Sequence, residues 1–233
     1  MKTLGVIGGM GPEATAYYYS EVVKHTQATR DQEHIDTIIL SHASIPDRTY
    51  SIITGDDQLE VSMLQKDAKT LEQLGVSNIA VPCNTSHYFY DRVQEVVQIP
   101  IIHMIRECVN HAIHSHKQVK RIGILGTNGT IQSGIYHREC DKVGIEAVAP
   151  STERQQDIMS LIYDDIKYGL PPDVVKFTRA YDEMIRMHCD VVILACTELS
   201  VFKRDHNLSQ SVIDAMDVLV YESIVRSGAV YKQ

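Results

Sequence analysis

The stretch CDVVILACTE, residues 189–198, is an apolar, β-branched run that ends on Cys196 and gives way to small polar and acidic residues. An earlier stretch, VSNIAVPCNT at residues 76–85, has the same design and ends on Cys83. A short apolar run closed by polar residues reads as a buried strand running into a turn or helix. A thiol at that junction lies at the carboxyl edge of a sheet, the edge where α/β folds bind ligands.

The likeness extends to the start of each half. KTLGVIG at residues 2–8 parallels KRIGILG at residues 120–126. Gly8 and Gly126 are 118 residues apart (126 − 8), and Cys83 and Cys196 are 113 apart (196 − 83). Order and spacing both persist, so each half runs from a Gly-ended strand to a Cys-ended strand. A repeat this long means two similar domains facing each other, not a solenoid of short units. Strands are expected at residues 4–7, 37–41, 78–82, 99–103, 122–125, 145–149, 191–195 and 212–214. Helices are expected at 12–28, at 58–74 and from about 215 to 227. Strands alternating with helices specify parallel sheets with helices on both faces. The expected fold is α/β, with two mostly parallel sheets related by a pseudo-twofold axis and the site in the cleft between them. The first domain takes residues 1–102 plus a returning segment, 210–233, and the second takes 103–209. No flexible linker divides them.

Composition narrows the function. The 233 residues are 44% hydrophobic and 22% charged, with a formal net charge of −8. That excess of acid argues against nucleic acid as a partner. No apolar stretch reaches the roughly 20 residues of a membrane span, and the N-terminus enters a strand without signal-peptide regions. A cytoplasmic location is expected. Five cysteines, an odd number without zinc spacing, read as free thiols. His111, His114 and His116 lack an accompanying carboxylate and read as a solvated helix end, so no metal is expected. The turn GGMGP at residues 8–12 lacks the G-x-G-x-x-G spacing of dinucleotide sites, and no Walker lysine follows. Its free N–H groups suit a small anion better.

Cys83 and Cys196 are the candidate chemistry. Each precedes a helix start, where aligned peptide dipoles favour thiolate and lower the pKa. Asn84, Thr85 and Thr197 supply groups that cap those starts or bind a carboxylate. Thiols on opposite faces of a carbon remove and return a proton, inverting a stereocentre without redox chemistry. Arg48, in a loop after the second strand, and Lys167 are candidate anchors for a second carboxylate. Cys108, Cys140 and Cys189 lack this context and read as packing residues.

The motifs GGMGPEAT (8–15), RDQEH (30–34), IPDRT (45–49), PCNTSH (82–87) and ACTELS (195–200) together resemble the cofactor-independent aspartate/glutamate racemases, most nearly the aspartate branch. The resemblance covers the whole chain. It implies a homodimer acting on a small acidic amino acid, with no pyridoxal phosphate, metal or nucleotide. By motif, Cys83 and Cys196 would be the catalytic thiols. Asn84, Thr85 and Thr127, with backbone near Met10, would hold the α-carboxylate, and Thr197 and Glu198 would complete the substrate site. Arg48 and Lys167 would hold the second carboxylate. The Asp-Ser-Gly turn of glutamate racemases is replaced here by Gly9-Met10-Gly11, which favours aspartate as substrate. Two other readings stay open: a related isomerase or decarboxylase of small diacids, and a non-catalytic binder of acidic ligands.

Overall fold

A computed structural model describes residues 1–232. In the first half, β1 (Leu4–Gly8) leads to α1 (Pro12–His25), whose first position is a proline, and then to β2 (Thr37–Ser41). Next come α2 (Arg48–Thr54), α3 (Gln58–Gln73), β3 (Asn78–Ala80), a 3-10 turn at Thr85–Phe89, α4 (Tyr90–Gln94) and α5 (Met104–Ser115). The second half holds β4 (Arg121–Gly126), α6 (Asn128–Gln132), α7 (Ile135–Asp141), β5 (Glu146–Val148) and α8 (Thr152–Ser160). A π-helical turn, Leu161–Ile166, continues α8. Then follow α9 (Val174–Arg186), β6 (Val191–Ala195), α10 (Thr197–Arg204), β7 (Val212–Asp214) and α11 (Ala215–Arg226).

The two sheets have the order β2-β1-β3 and β5-β4-β6-β7, and every pairing is parallel. The first three strands of each sheet follow one pattern, with the opening strand in the centre. The fold is two parallel-sheet α/β domains, as the sequence repeat requires.

Residues 99–103, expected as a strand, form a single bridge in which Ile101 pairs with Ile79. Ile79 donates to the Pro100 carbonyl at 3.0 Å and Ile102 donates to Ile79 at 2.8 Å. Pro100 has no N–H to extend the ladder, and His103 already caps α5 through Nδ1. Its counterpart β7 meets no proline and forms a true strand.

The stretch 210–232 divides between the halves. Strand β7 hydrogen-bonds β6, so it belongs to the second sheet, whereas α11 packs on α1 of the first half. The Tyr18 hydroxyl on α1 donates to Ser223 on α11 at 2.6 Å, and the tail beyond α11 bonds Gln27 and His25. Helix α5 crosses the other way and packs on α7 of the second half and on α11. This exchange of helices joins the domains without a linker.

Alternation along the strands sorts side chains into three cores. From β6, Val191, Ile193 and Ala195 enter a shared core with α5, α11 and β4, and Val192 and Leu194 enter the outer core of the second domain. Cys196 continues the outer parity. Cys83 belongs to the outer core of the first domain, with Ile7, Leu71 and Ile79. Among the described residues all five cysteines are buried, free thiols.

Candidate active site

The carboxyl ends of both sheets meet around one cavity of about 300 Å³. Every candidate residue lines it: Met10, Arg48, Cys83, Asn84, Thr85, Thr127, Lys167, Cys196, Thr197 and Glu198. Each of the two thiols comes from its own domain: Cys83 follows β3, at the edge of the first sheet, and Cys196 follows β6, an inner strand of the second. The sequence reading missed three further lining residues, Asp47, Thr49 and Tyr163. Asp47 and Thr49 flank Arg48 in the quoted IPDRT motif. Tyr163 precedes Lys167 by four residues, the spacing that puts two side chains on one helical face.

Arg48 is not in a loop. It opens α2, because the Asp47 carboxylate accepts from Tyr50 N–H at 2.9 Å and caps the helix. The Arg48 guanidinium donates to the carbonyls of Pro46 at 2.9 Å and Ile45 at 3.5 Å. Burial opposes its charge, but interaction with Cys83 and Asp47 outweighs that and holds its pKa above the usual arginine value. Lys167 lies 3.7 Å from Glu198 Oε1, with its ammonium 4.5 Å above the Tyr163 ring. Burial again opposes the charge, and Glu198 overrides it to raise the lysine pKa.

Four threonines join the domains at the cavity floor. Thr85 Oγ1 lies 2.9 Å from Thr130 Oγ1 and 3.2 Å from Thr127 Oγ1, and Thr49 donates to Thr127 at 3.4 Å. Thr127 is the N-cap of α6 and accepts from Thr130 N–H. By contrast, neither Asn84 nor Cys196 caps the turn or helix after it with its side chain, so the polar groups beside the thiols remain turned to the cavity.

The expectation of a lowered thiol pKa does not hold for Cys196. Its Sγ–H donates to Glu198 Oε2 at 2.9 Å. Full burial, then the charge and hydrogen bond of Glu198, push this thiol well above its ordinary value, outweighing the helix start. Cys196 is therefore a protonated donor with a carboxylate in contact.

Glu60, in the first turn of α3, stands behind Arg48. It is fully buried, and neither carboxylate oxygen has a hydrogen-bond partner among the described residues. Burial raises its pKa from an ordinary 4.5 to about 7; Ser51 and Arg48 partly offset this, while Asp47 and Asp57 add to it. A raised carboxyl pKa means that the folded chain holds the proton more tightly than the unfolded one. The stabilisation is complete below about pH 4.5 and is lost as pH rises through about 7. Asp214, buried at the end of β7 and also raised to about 7, acts with the same sign. Glu60→Gln is expected to leave the melting temperature at pH 5 unchanged and to raise it at pH 8. At roughly 2–4 °C per kcal/mol, a recovery of about 2 kcal/mol gives a gain of about 4–8 °C. Equal melting temperatures for variant and native chain at pH 8 would refute it.

Two thiols, neutral hydrogen-bonding groups and two cations thus line one cavity where the two sheets meet. Residues 7–222 match the family described as Asp/Glu/Hydantoin racemase. The chain belongs to this family and is a racemase of it. It is 29% identical to the broad specificity amino-acid racemase RacX of Bacillus subtilis, over 98% of this chain and 99% of that one. Among solved structures, it superposes on the Picrophilus torridus aspartate racemase with a TM-score of 0.83 at 27% identity, over 100% of this chain and 96% of that one. It is also 27% identical to the glutamate racemase of Aquifex pyrophilus, over 67% of this chain but only 59% of that enzyme. No helix among the described residues is long and apolar enough to cross a membrane.

Proposed function

We propose that this chain interconverts L- and D-aspartate, as a homodimer and without a cofactor, through Cys83 and Cys196. The observation that carries this reading is that both thiols, one from each domain, line the same cavity as Arg48 and Lys167. The substrate α-carboxylate lies against Asn84, Thr85 and Thr127, and the side-chain carboxylate reaches the two cations. One sulfur takes the proton from Cα while the opposite thiol delivers its own to the other face. The C–H bond broken is replaced by one C–H bond formed, and no oxidation state changes. With Cys196 protonated at rest, turnover from this state sends the Cα proton toward Cys83 and supplies the new one from Cys196. Glu198 is placed to stabilise the Cys196 proton and to receive it when the reaction reverses.

The wall offers two cations, Arg48 and Lys167, for the two carboxylates of such a substrate, and two carboxylates, Asp47 and Glu198, for its ammonium. The test is chiral chromatography of L- and D-aspartate, glutamate and alanine incubated with the enzyme, alongside a set of maleate-like and malonate-like diacids. Aspartate is expected to turn over fastest in both directions. Conversion of a diacid with none of the amino acids racemised would overturn this reading in favour of the isomerase or decarboxylase. A monomer in sedimentation at micromolar concentration would remove the dimer from it.

A further inference from the structure

Asn84 carries an unusual pair of ends. Its Oδ1 accepts from the Tyr136 hydroxyl at 2.6 Å, while its Nδ2 has no hydrogen-bond partner among the described residues. The residue is 2% exposed and lines the cavity. Buried amide donors are nearly always satisfied, so an idle one beside a binding cavity marks a place for an acceptor. Tyr136 comes from the other domain. It lies on α7, 1% exposed, outside the cavity lining, and its hydroxyl reaches across the domain boundary.

We propose that Tyr136 is a positioning residue that locks the Asn84 carboxamide with its NH2 toward the cavity, as a donor for the substrate's α-carboxylate. The inference rests on the racemase reading of this site. A carboxylate only accepts hydrogen bonds, so only the NH2 end of the amide can serve it. The reversed amide would turn its carbonyl oxygen on the carboxylate and repel it. Tyr136 disfavours reversal because its hydroxyl donates to Oδ1 at 2.6 Å, and the reversed amide would leave that hydroxyl only the sulfur of Cys108, a weaker acceptor, beside it. Burial, with Cys108 beside the phenol, holds the tyrosine pKa well above its ordinary value, so the hydroxyl remains a donor throughout the working pH range.

The same bond gives a single small group a hold on both domains.

Tyr136→Phe removes the hydroxyl and keeps the ring packed. It is expected to raise KM for aspartate about 10-fold and to lower kcat much less, with a circular dichroism spectrum like the native one. Asn84→Asp, which replaces the donor by a second acceptor, is expected to raise KM more than 100-fold. Because Tyr136 acts through Asn84, the double variant Y136F/N84A is expected to match N84A alone. An unchanged KM in Y136F, or full additivity of the two substitutions, would overturn the inference. Calorimetric titration with L-aspartate runs beside the kinetics. A native chain that binds aspartate but racemises no amino acid defeats the racemase reading, and the ratio of Kd values for Y136F and native chain then decides the role of Tyr136. A native chain that does not bind aspartate overturns both.

Discussion

Alanine at Cys83 or at Cys196 is expected to slow the interconversion of L- and D-aspartate by at least about 1,000-fold, because a positioned acid or base contributes roughly 100- to 10,000-fold. Either substitution disables both directions, since the base for one enantiomer is the acid for the other. The residual chemistry is expected to differ between the variants. With Cys196 gone, Cys83 can still remove the proton from one face and return one to the same face. In deuterium oxide such a variant washes label into one enantiomer with retention. Cys83→Ala is expected to label the opposite enantiomer, and more slowly, because the remaining thiol is the one held protonated by burial and by Glu198. Proton NMR of each enantiomer at its Cα–H reads this directly. Racemisation above about a tenth of the native rate in either variant, or exchange into both enantiomers by one of them, would sink the two-thiol mechanism. Both cysteines are buried, yet each replacement removes only one sulfur atom bordering a cavity, so native circular dichroism is the control for folding.

Where the sequence spoke clearly, it did so through continuous apolar runs. Val191–Ala195 is found as read, because a strand covered on both faces needs apolar residues at every position and little else looks like that. The cavity residues were legible for a related reason. Cys83, Asn84, Thr85, Cys196, Thr197 and Glu198 sit beyond strand ends marked by a change from apolar to small polar residues, and the pseudo-repeat marks the same place twice. What escaped depends on three-dimensional partners. Which sheet takes β7 is decided by its pairing with β6, although the helix after it docks on α1. The pKa of Cys196 is raised first by full burial and then by a carboxylate two residues later that curls back to 2.9 Å, neither of which a spacing rule assigns. Tyr163 joins the cavity wall through tertiary partners, its hydroxyl standing 3.4 Å from Asp47 Oδ2 and 3.5 Å from Thr49 Oγ1. Arg48 was misread locally, since Asp47 followed three residues later by Tyr50 is a helix start that the neighbouring proline disguised.

Gly9→Ala is expected to be the most damaging substitution at the first turn, lowering the melting temperature by about 4–20 °C and weakening aspartate binding with it. Gly9 has φ = +91°, a region that costs a side-chain-bearing residue roughly 1–2 kcal/mol. A Cβ there would stand 2.5 Å from both the carbonyl carbon and the nitrogen of His42, and 2.7 Å from Ala43 N. These are backbone atoms at the end of β2, tied back by the His42 N–H bond to Gly8 O at 3.1 Å, so they cannot step aside as a flexible side chain would. Relief requires the turn to part from β2, adding the roughly 1–3 kcal/mol typical of overpacking. Gly144→Ala separates the two contributions. Its φ is +73°, but nothing lies within 4 Å of a Cβ, so only the conformational cost remains and a drop of about 2–8 °C is expected. The consequence for the site runs through Met10, the next residue, whose sulfur accepts from the Ser86 hydroxyl at 3.2 Å beside Cys83. Parting the turn from β2 draws Met10 off that hydroxyl and moves the wall that faces the Cys83 thiol. Gly9→Ala should therefore raise KM for aspartate even at temperatures where it is fully folded, and Gly144→Ala should not. Equal melting temperatures for the two variants would show that the close approach of the first turn to His42 is dispensable.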